Sequence, residues 1–283
     1  MNHWKIGNVT ISRFIEMETV SKATFVLPDG TPENIKAAGS WLIPNFADES
    51  GKVCMSIHAF VVETQGRRIV VDTCIGNDKR RDFPGWNQLQ TSFLKDLDAG
   101  GFPPDSITHV LCTHLHVDHV GWNTMLVGER WMPTFARARY LIGRKEWEHW
   151  SASQAPHNRD PIDDSVRPVV EAGLADFVEW DYRLNDEVWL EPTPGHTPGH
   201  FSVRISSRGE DAIITGDLMH HPVQCARPHW SSGFDSDPAE AIRTRRAFLE
   251  RYSNRPVLVL GTHFAAPSAG HIVRDGEAWR FQI

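Results

Sequence analysis

Cysteine is scarce in this sequence, and its spacing excludes two common uses of the residue. The four cysteines are Cys54, Cys74, Cys112 and Cys225, and they form neither a CxxC pair nor a disulfide framework. Cys74 and Cys112 lie at the ends of apolar runs, which predicts buried thiols that stay reduced in the cytoplasm. The fold must therefore depend on a hydrophobic core instead of on disulfides.

Long apolar segments are also missing. No stretch approaches the roughly 18 uninterrupted apolar residues that a membrane span needs. Residues 1–14 are amphipathic and lack the apolar core of a signal peptide. We therefore expect a cytoplasmic location and no membrane partner.

Positive charge is in the minority. The formal net charge is −7, whereas a protein that binds a phosphate backbone usually carries a basic stripe. The densest basic run, Arg243, Arg245 and Arg246, falls within a predicted helix, where a solvated helix face accounts for it. We therefore expect a small-molecule substrate and no nucleic-acid partner.

Size and composition are those of an ordinary globular protein. The chain has 283 residues, of which 40% are hydrophobic and 23% are charged, and no repeat or low-complexity tract stands out. This predicts a single domain over residues 1–283 with a sizeable core. The fifteen histidines and eleven tryptophans are unusually many, and histidine in such number suggests metal or acid–base chemistry.

Predicted strands and helices alternate along the chain, with hairpins among them. Two apolar runs, 57–64 and 68–72, predict a hairpin. A helix is predicted to begin near Asp237, which can cap it, with Pro238 in the first helical position. Further strands are predicted at 107–112, 138–142, 176–180, 187–190, 201–205, 212–215 and 256–260, helices at 89–97 and 144–150, and a closing hairpin at 270–282. This alternation indicates a mixed-sheet α/β architecture.

Residues 17–52 fit this pattern poorly. The segment is rich in proline, glycine, alanine and asparagine, with scattered large apolar residues. We interpret it as an N-terminal insertion that forms either a lip or an oligomer contact, and the second reading would allow a homodimer.

The segment 113–119 places four residues of metal-ligating types within six positions. It directly follows an apolar strand, and α/β folds place their sites at the carboxyl ends of strands. His114 and His116 can point the same way from an extended segment, and a turn can present Asp118 and His119 nearby. Because adjacent residues diverge, one metal cannot easily take all four, whereas two metals can. Such ligands suit zinc, and also iron, cobalt or manganese.

Three later segments repeat the order of apolar strand, small residues and candidate ligand. His196 lies in a loop, 192–200, that prolines and glycines make rigid. Asp217 and His263 each follow an apolar run, and the two oxygens of Asp217 could bridge two cations. His200 is either a further ligand or a residue that hydrogen-bonds behind the ligands, and we favour the second role.

The motifs HLHVDH, GHTPGH, TGD and GTH occur in this order, and together they resemble the metallo-β-lactamase superfamily. The resemblance extends from about residue 57 to the end of the chain. It implies a four-layer αβ/βα sandwich, in which two mixed β-sheets pack face to face with helices on the outer faces. It also implies a ligand set of His114, His116 and His196 for one metal, Asp118, His119 and His263 for the other, and Asp217 between them. Asp72 matches an early aspartate of the family and would support the ligand loops.

Such a site implies a dinuclear metal-dependent hydrolase. Two cations roughly 3.5–4 Å apart can share a water, lower its pKa and hold it as a bridging hydroxide that attacks the substrate. One cation would polarise the substrate oxygen. Asp118 would steer the nucleophile and carry a proton. Two divalent ions, with Zn²⁺ preferred, are therefore the expected cofactors.

Two further stretches, THFAAPSAGHIVR and GDLMHHPVQ, are most similar to the small-molecule esterases and lactonases of the superfamily. A small ester or lactone is therefore the expected substrate. Acyl-homoserine lactonases commonly carry a tyrosine three residues after the bridging aspartate, where this chain has His220. We expect His220 or His221 to donate a hydrogen bond to the oxyanion. An apolar pocket beside the metals is predicted from Leu115, Trp122, Met219 and Phe264.

Other activities of the same superfamily stay open. They are a phosphotriesterase, a glyoxalase II-like thioesterase, a β-lactam hydrolase and, less favoured, a nuclease or an iron persulfide dioxygenase. A nuclease should show a basic groove, which is not apparent. The flavodiiron pattern has a glutamate where His116 stands, which disfavours that branch. Non-catalytic relatives usually lose ligands, whereas all seven occur here.

Overall fold

The computed structural model describes residues 2–153 and 160–283. In chain order, the strands are β1 Asn2–Ile6, β2 Val9–Ser21, β3 Val53–Thr64, β4 Arg67–Val71, β5 His109–Cys112, β6 Thr124–Val127, β7 Arg130–Pro133, β8 Arg139–Gly143, β9 Ala175–Val178, β10 Val188–Pro192, β11 Phe201–Ser207, β12 Glu210–Ile214, β13 Val257–Leu260, β14 Ala269–Asp275 and β15 Ala278–Gln282. These bounds confirm the strands and hairpins predicted from residue 57 onward.

The α-helices in the described residues are α1 Pro32–Ala38, α2 Phe93–Ala99, α3 Val117–Val120, α4 Arg144–Ser151, α5 Arg167–Glu171, α6 Val223–Ala226 and α7 Pro238–Tyr252. A π-helical segment, Ile162–Val166, leads into α5, and single 3₁₀ turns occur at Ala23–Phe25, Ser40–Leu42, Pro84–Trp86, Pro104–Ser106, Gly121–Asn123 and Gly216–Leu218. Helix α7 begins as predicted, because the Asp237 carboxylate accepts the backbone N–H of Glu240 at 2.9 Å. None of these helices is both long enough and apolar enough to cross a membrane.

The chain forms two compact units. The first contains Met1–Glu16 and Ile57–Tyr182, and the second contains Met17–Ser56 and Arg183–Ile283. The division falls within strands β2 and β3. A single domain over residues 1–283 stays a prediction.

The sheet that carries most of the first unit has the order β1-β2-β3-β4-β5-β8-β9. Strands β4, β5, β8 and β9 are parallel neighbours, so their carboxyl ends lie at the same edge. Strand β3 is buried continuously from Ser56 to Val62, as expected for a strand that is covered on both faces. The hairpin of β1 and β2 was not predicted, since residues 1–14 indicate only an amphipathic segment. Helix α2 begins at Phe93, later than predicted.

The second unit contains a six-stranded sheet of order β10-β11-β12-β13-β14-β15. Strand β12 is parallel to β13, and β11 is antiparallel to both β10 and β12. The carboxyl ends of β10, β12 and β13 therefore lie at one edge, and each of these strands leads into a predicted ligand segment.

Part of the segment 17–52 belongs to the core of the second unit. Leu27, Ile35, Leu42 and Phe46 are almost fully buried in the same apolar cluster as Phe264. These contacts explain the scattered large apolar residues in an otherwise loop-like composition. A lip or an oligomer contact formed by the rest of the segment stays a prediction.

Candidate metal centre

The first unit gathers the four candidate ligands of residues 114–119. The chain leaves β5 at Cys112, and the single turn of α3 then presents Asp118 and His119. The ring of His114 lies 4.0 Å from that of His119 and 4.7 Å from that of His116, measured between centroids. His119 Nε2 is 3.7 Å from Asp118 Oδ1. The turn therefore converts a short sequence motif into one compact group of donor atoms.

Asp72 lies behind this group, directly after β4. Its Oδ1 accepts the backbone N–H of Thr113 at 2.7 Å, and its Oδ2 lies 3.0 Å from His119 Nδ1. Because β4 and β5 are parallel, the residue that follows one strand can brace the residues that follow the other. This is the kind of contact that the predicted supporting role of Asp72 requires.

Glu146 is a functional candidate that the sequence analysis missed. This fully buried carboxylate of α4 accepts the backbone N–H of Leu115 at 3.1 Å and the indole N–H of Trp150 at 2.8 Å. Trp150 in turn packs its ring edge-on against His116, 5.1 Å away. Glu146 thus fixes the segment between the first two candidate ligands. In the sequence it is an ordinary helical glutamate, so no signal marked it.

In the second unit, three imidazoles surround one carboxylate. His263 Nε2 is 3.1 Å from Asp217 Oδ1, while His196 Nε2 and His220 Nε2 are 3.4 and 3.2 Å from Asp217 Oδ2. All four residues are almost fully buried. One donor atom from each of His196, Asp217 and His220 lies within 4.8 Å of the others, a spacing that suits a metal ion. His220 was predicted for substrate contact, so its membership of this group is new.

Asp235 was also missed. It precedes helix α7, and its Oδ1 lies 2.9 Å from His196 Nδ1. Burial alone would raise the pKa of Asp235, but the hydrogen bond from His196, the largest of several opposing contacts, helps to lower the pKa below its usual value. An isolated aspartate in a loop has many ordinary uses, and only folding places this one behind a ligand.

His200 does not face Asp217 as a ligand would. Its Nδ1 is 2.8 Å from the Thr193 hydroxyl, and its Nε2 accepts the backbone N–H of Asp217 at 2.8 Å. Both ring nitrogens are therefore used within the fold. The hydrogen bond to the backbone of Asp217 is of the kind that the role favoured from the sequence requires, and that role stays a prediction.

Three candidate ligands share a pattern that fits a metal. In each, Nδ1 faces an oxygen that can only accept a hydrogen bond, so Nδ1 carries the proton and Nε2 carries the lone pair. The pairs are His119 with Asp72 at 3.0 Å, His196 with Asp235 at 2.9 Å, and His263 with the carbonyl of Ser56 at 3.2 Å. Metal-binding imidazoles in proteins almost always show this arrangement.

The Nε2 side of the His196 ring gives a stronger test of whether the site fits a metal. Burial lowers the pKa of His196 to about 4, so its ring is neutral at neutral pH and its Nε2 lone pair faces Asp217 Oδ2 at 3.4 Å. Two acceptors at this distance repel each other. A cation that both atoms coordinate turns the repulsion into attraction. The donor set of imidazole and carboxylate therefore fits a divalent metal.

The neighbouring histidines His220 and His221 have different surroundings. His221 is fully buried, with Nε2 2.7 Å from the carbonyl of Phe46, and its Nδ1 accepts the backbone N–H of Val223 at 3.1 Å. Among the residues that the structure describes, His220 Nδ1 has no hydrogen-bond partner. Both ring nitrogens of His221 are used within the fold, which leaves His220 as the candidate for a contact with the substrate.

The four predicted pocket residues are all buried. Trp122 stacks on Phe93 at 5.9 Å, and Phe264 packs against Phe46 and Phe281. Leu115 and Met219 are also almost fully enclosed. These contacts are those of core side chains, and a substrate-binding role for the four stays a prediction.

Comparison with known proteins identifies the family. The model of the metallo-beta-lactamase superfamily matches residues 53–263. The chain belongs to this superfamily. An N-acyl homoserine lactonase of a Bacillus species is 27% identical over 144 residues, which are 50% of this chain and 51% of the lactonase. The chain thus spans about half the length of this curated relative.

Solved structures show the same fold over nearly the whole chain. A hydrolase of the beta-lactamase superfamily, AbOPH, superimposes with a TM-score of 0.82 at 24% identity, covering 99% of this chain and 96% of that one. The dizinc quorum-quenching lactonase AidC, solved with a product, gives a TM-score of 0.80 at 21% identity over the same shares. The predicted fold class, the αβ/βα sandwich of this superfamily, is therefore confirmed.

Proposed function

We propose that this chain is a dinuclear metal-dependent hydrolase of small esters or lactones. The observation that carries the proposal is the opposition of a neutral His196 Nε2 and the Asp217 carboxylate, which a cation would resolve. The proposed ligand set is His114, His116 and His196 for one cation and Asp118, His119 and His263 for the other, with Asp217 shared. Zinc is the metal we expect.

The residues divide the chemistry among them. When bound, a pair of divalent cations supplies a water of lowered pKa and positive charge for the substrate oxygen. Asp118, the least buried of the acidic candidates, orients the attacking water and takes up its proton. His220, whose Nε2 lies 3.2 Å from Asp217 Oδ2 at the proposed centre, hydrogen-bonds the substrate oxygen.

The relatives support the substrate class. N-acyl homoserine lactonases and a dizinc quorum-quenching lactonase act on an ester bond within a ring, and both resemble this chain. His220 stands where a tyrosine is common in acyl-homoserine lactonases, so the proposal extends to esters and to other lactones. A cytoplasmic location and a homodimer stay predictions.

A metal measurement combined with a substrate panel tests the proposal. The zinc-loaded protein is assayed with lactones, aryl esters, phosphotriesters, thioesters and β-lactams, and the bound metal per chain is counted. We expect two ions per chain and turnover of an ester or lactone. If the protein prefers a phosphotriester, a thioester or a β-lactam, that substrate class replaces the ester or lactone. If it binds iron and consumes oxygen, the assignment as a hydrolase is wrong.

His116→Ala is the matching variant, and His149→Ala, which changes an exposed histidine of the same unit, is its control. The first should lose metal and turnover together, while the second should keep both. Full activity in His116→Ala would contradict the proposed centre.

A further inference from the structure

Glu16 lies outside the matched family region, 53–263, yet it reaches the segment that supports the first-unit ligands. Its partly buried carboxylate accepts four hydrogen bonds. The donors are the backbone N–H of Ile75 at 2.7 Å, the backbone N–H of Gly76 at 3.2 Å, the indole N–H of Trp122 at 2.6 Å and the hydroxyl of Thr91 at 3.3 Å. One side chain of β2 thus contacts three separate segments of the unit, and two of them, residues 72–76 and Trp122, adjoin the ligand loop.

The first of these parts, residues 72–76, has a demanding backbone. Asp72 and Cys74 have φ of 57° and 53°, in the left-handed region. This region is unfavourable for a residue other than glycine, and such conformations persist only where the surroundings fix them. The chain has left strand β4 at this point, so the N–H groups of Ile75 and Gly76 need acceptors from elsewhere. Glu16 provides both.

The same segment contacts the ligand loop through its backbone. Thr73 N–H donates to the carbonyl of His119 at 2.8 Å, and Gly121 N–H donates to the carbonyl of Cys74 at 2.7 Å. A Cβ at Gly121 would overlap the carbonyl of Ile75, so the two segments approach as closely as backbones can. A shift of residues 72–76 must therefore move the ligand loop.

The second part is Trp122, which directly follows that loop. Its backbone N–H donates to the carbonyl of Thr73 at 2.8 Å, and its indole N–H donates to the Glu16 carboxylate at 2.6 Å. Glu16 therefore closes a ring of contacts that runs from residues 72–76 through the ligand loop to Trp122 and back.

We propose that Glu16 is a positioning residue for the metal centre, holding residues 72–76 and Trp122 so that Asp72 and His119 keep their mutual geometry. The inference depends on the proposed function, since it assigns His119 to a metal. It adds an N-terminal contribution from outside the matched region.

The electrostatic cost of the carboxylate agrees with such a role. Burial raises the pKa of Glu16, which means that its surroundings disfavour the charged form. A carboxylate in this place is compensated only by its donors, and removing it leaves several buried N–H groups without an acceptor. Replacing Glu16 should therefore disturb the geometry of the ligand loop, because the segments that carry these donors contact that loop.

The experiment measures zinc affinity and catalysis in Glu16→Gln and Glu16→Ala. The control is Glu18→Gln, an exposed glutamate of the same strand. Zinc affinity is determined by competition with a chelating dye on the full chain, alongside kcat, KM and the melting temperature of the metal-free protein. We expect the more weakly held zinc to bind about tenfold less tightly in Glu16→Gln and up to about a hundredfold less tightly in Glu16→Ala. We expect kcat to fall while KM changes little, and Glu18→Gln to match the wild type.

The outcomes separate the two claims. Unchanged zinc affinity in both Glu16 variants, with only a lower melting temperature, would show a purely structural residue and overturn the inference. If Glu16→Ala does not fold, Glu16→Gln and Trp122→Phe replace it in the test. Trp122→Phe removes one donor and keeps an aromatic ring, and both variants should bind zinc more weakly than the wild type. A wild-type chain that binds no zinc would instead refute the proposed function.

Discussion

Replacing Asp235 by asparagine tests the metal centre at a residue that no motif marks. Asp235 Oδ1 faces His196 Nδ1 at 2.9 Å, while Oδ2 accepts the Ser231 hydroxyl at 2.7 Å and the Ser232 N–H at 2.8 Å. Asparagine has only one acceptor oxygen. In one orientation its NH₂ faces His196 and shifts the ring proton to Nε2, which removes the ligand lone pair. In the other, the Ser232 N–H loses its acceptor.

Both orientations also exchange a charged acceptor for a neutral one. Hydrogen bonds to charged groups contribute about 1.5–3 kcal/mol, against about 1 kcal/mol for neutral pairs. The difference of about 0.5–2 kcal/mol corresponds to a roughly two- to thirtyfold change in an equilibrium constant. This range overlaps the tenfold to hundredfold loss that is typical when such a partner of a metal ligand is removed. We therefore expect Asp235→Asn to weaken zinc binding about ten- to thirtyfold, where the two ranges overlap.

The assay is zinc competition with a chelating dye near pH 7.5, with the melting temperature of the metal-free protein measured in parallel. Asp237→Asn is the control, because it makes the same exchange at an exposed helix cap where asparagine serves as well as aspartate. Zinc affinity within twofold of the wild type in Asp235→Asn would refute the argument that the Asp235 contact prepares His196 to bind a metal.

Three further predictions address single contacts. His220→Ala should lower kcat about 10²- to 10³-fold with the zinc content retained, and a loss of zinc in parallel would instead make His220 a ligand. The pKa of His221 is lowered from 6.5 to about 4 by burial, so the unfolded chain takes up a proton that the native ring refuses. Stability should fall by up to about 3 kcal/mol as the pH drops from 6.5 to 4, and urea unfolding of the metal-free protein should show a shallower pH dependence in His221→Gln; an unchanged slope would contradict the shift. Gly121→Ala should destabilise the protein by about 1–3 kcal/mol or more, because the added Cβ would overlap the Ile75 carbonyl, and a wild-type urea midpoint would contradict this close approach.

The sequence alone determined the ligand candidates and the order of the elements around them. Ligand residues must follow buried strands at fixed spacing, and an apolar run that ends in His114, Asp217 or His263 is visible in one dimension. The hairpin before residue 72 and the start of helix α7 can also be predicted from the sequence, because turns and helix caps depend on a few adjacent residues. The structure confirms the order of the elements, the hairpin and the helix start, while the ligand roles stay predictions.

The tertiary structure alone decided which residues stand behind the ligands. Glu16, Glu146 and Asp235 are single carboxylates on a strand, on a helix and in a loop, and each acts through partners at least 31 residues away in the chain. His220 and His221 are adjacent in sequence, yet packing engages both nitrogens of one and leaves a nitrogen of the other without a partner in the described part of the chain. Hydrogen-bond partners of this kind are set by which strand ends meet, and that depends on the whole sheet instead of on local sequence.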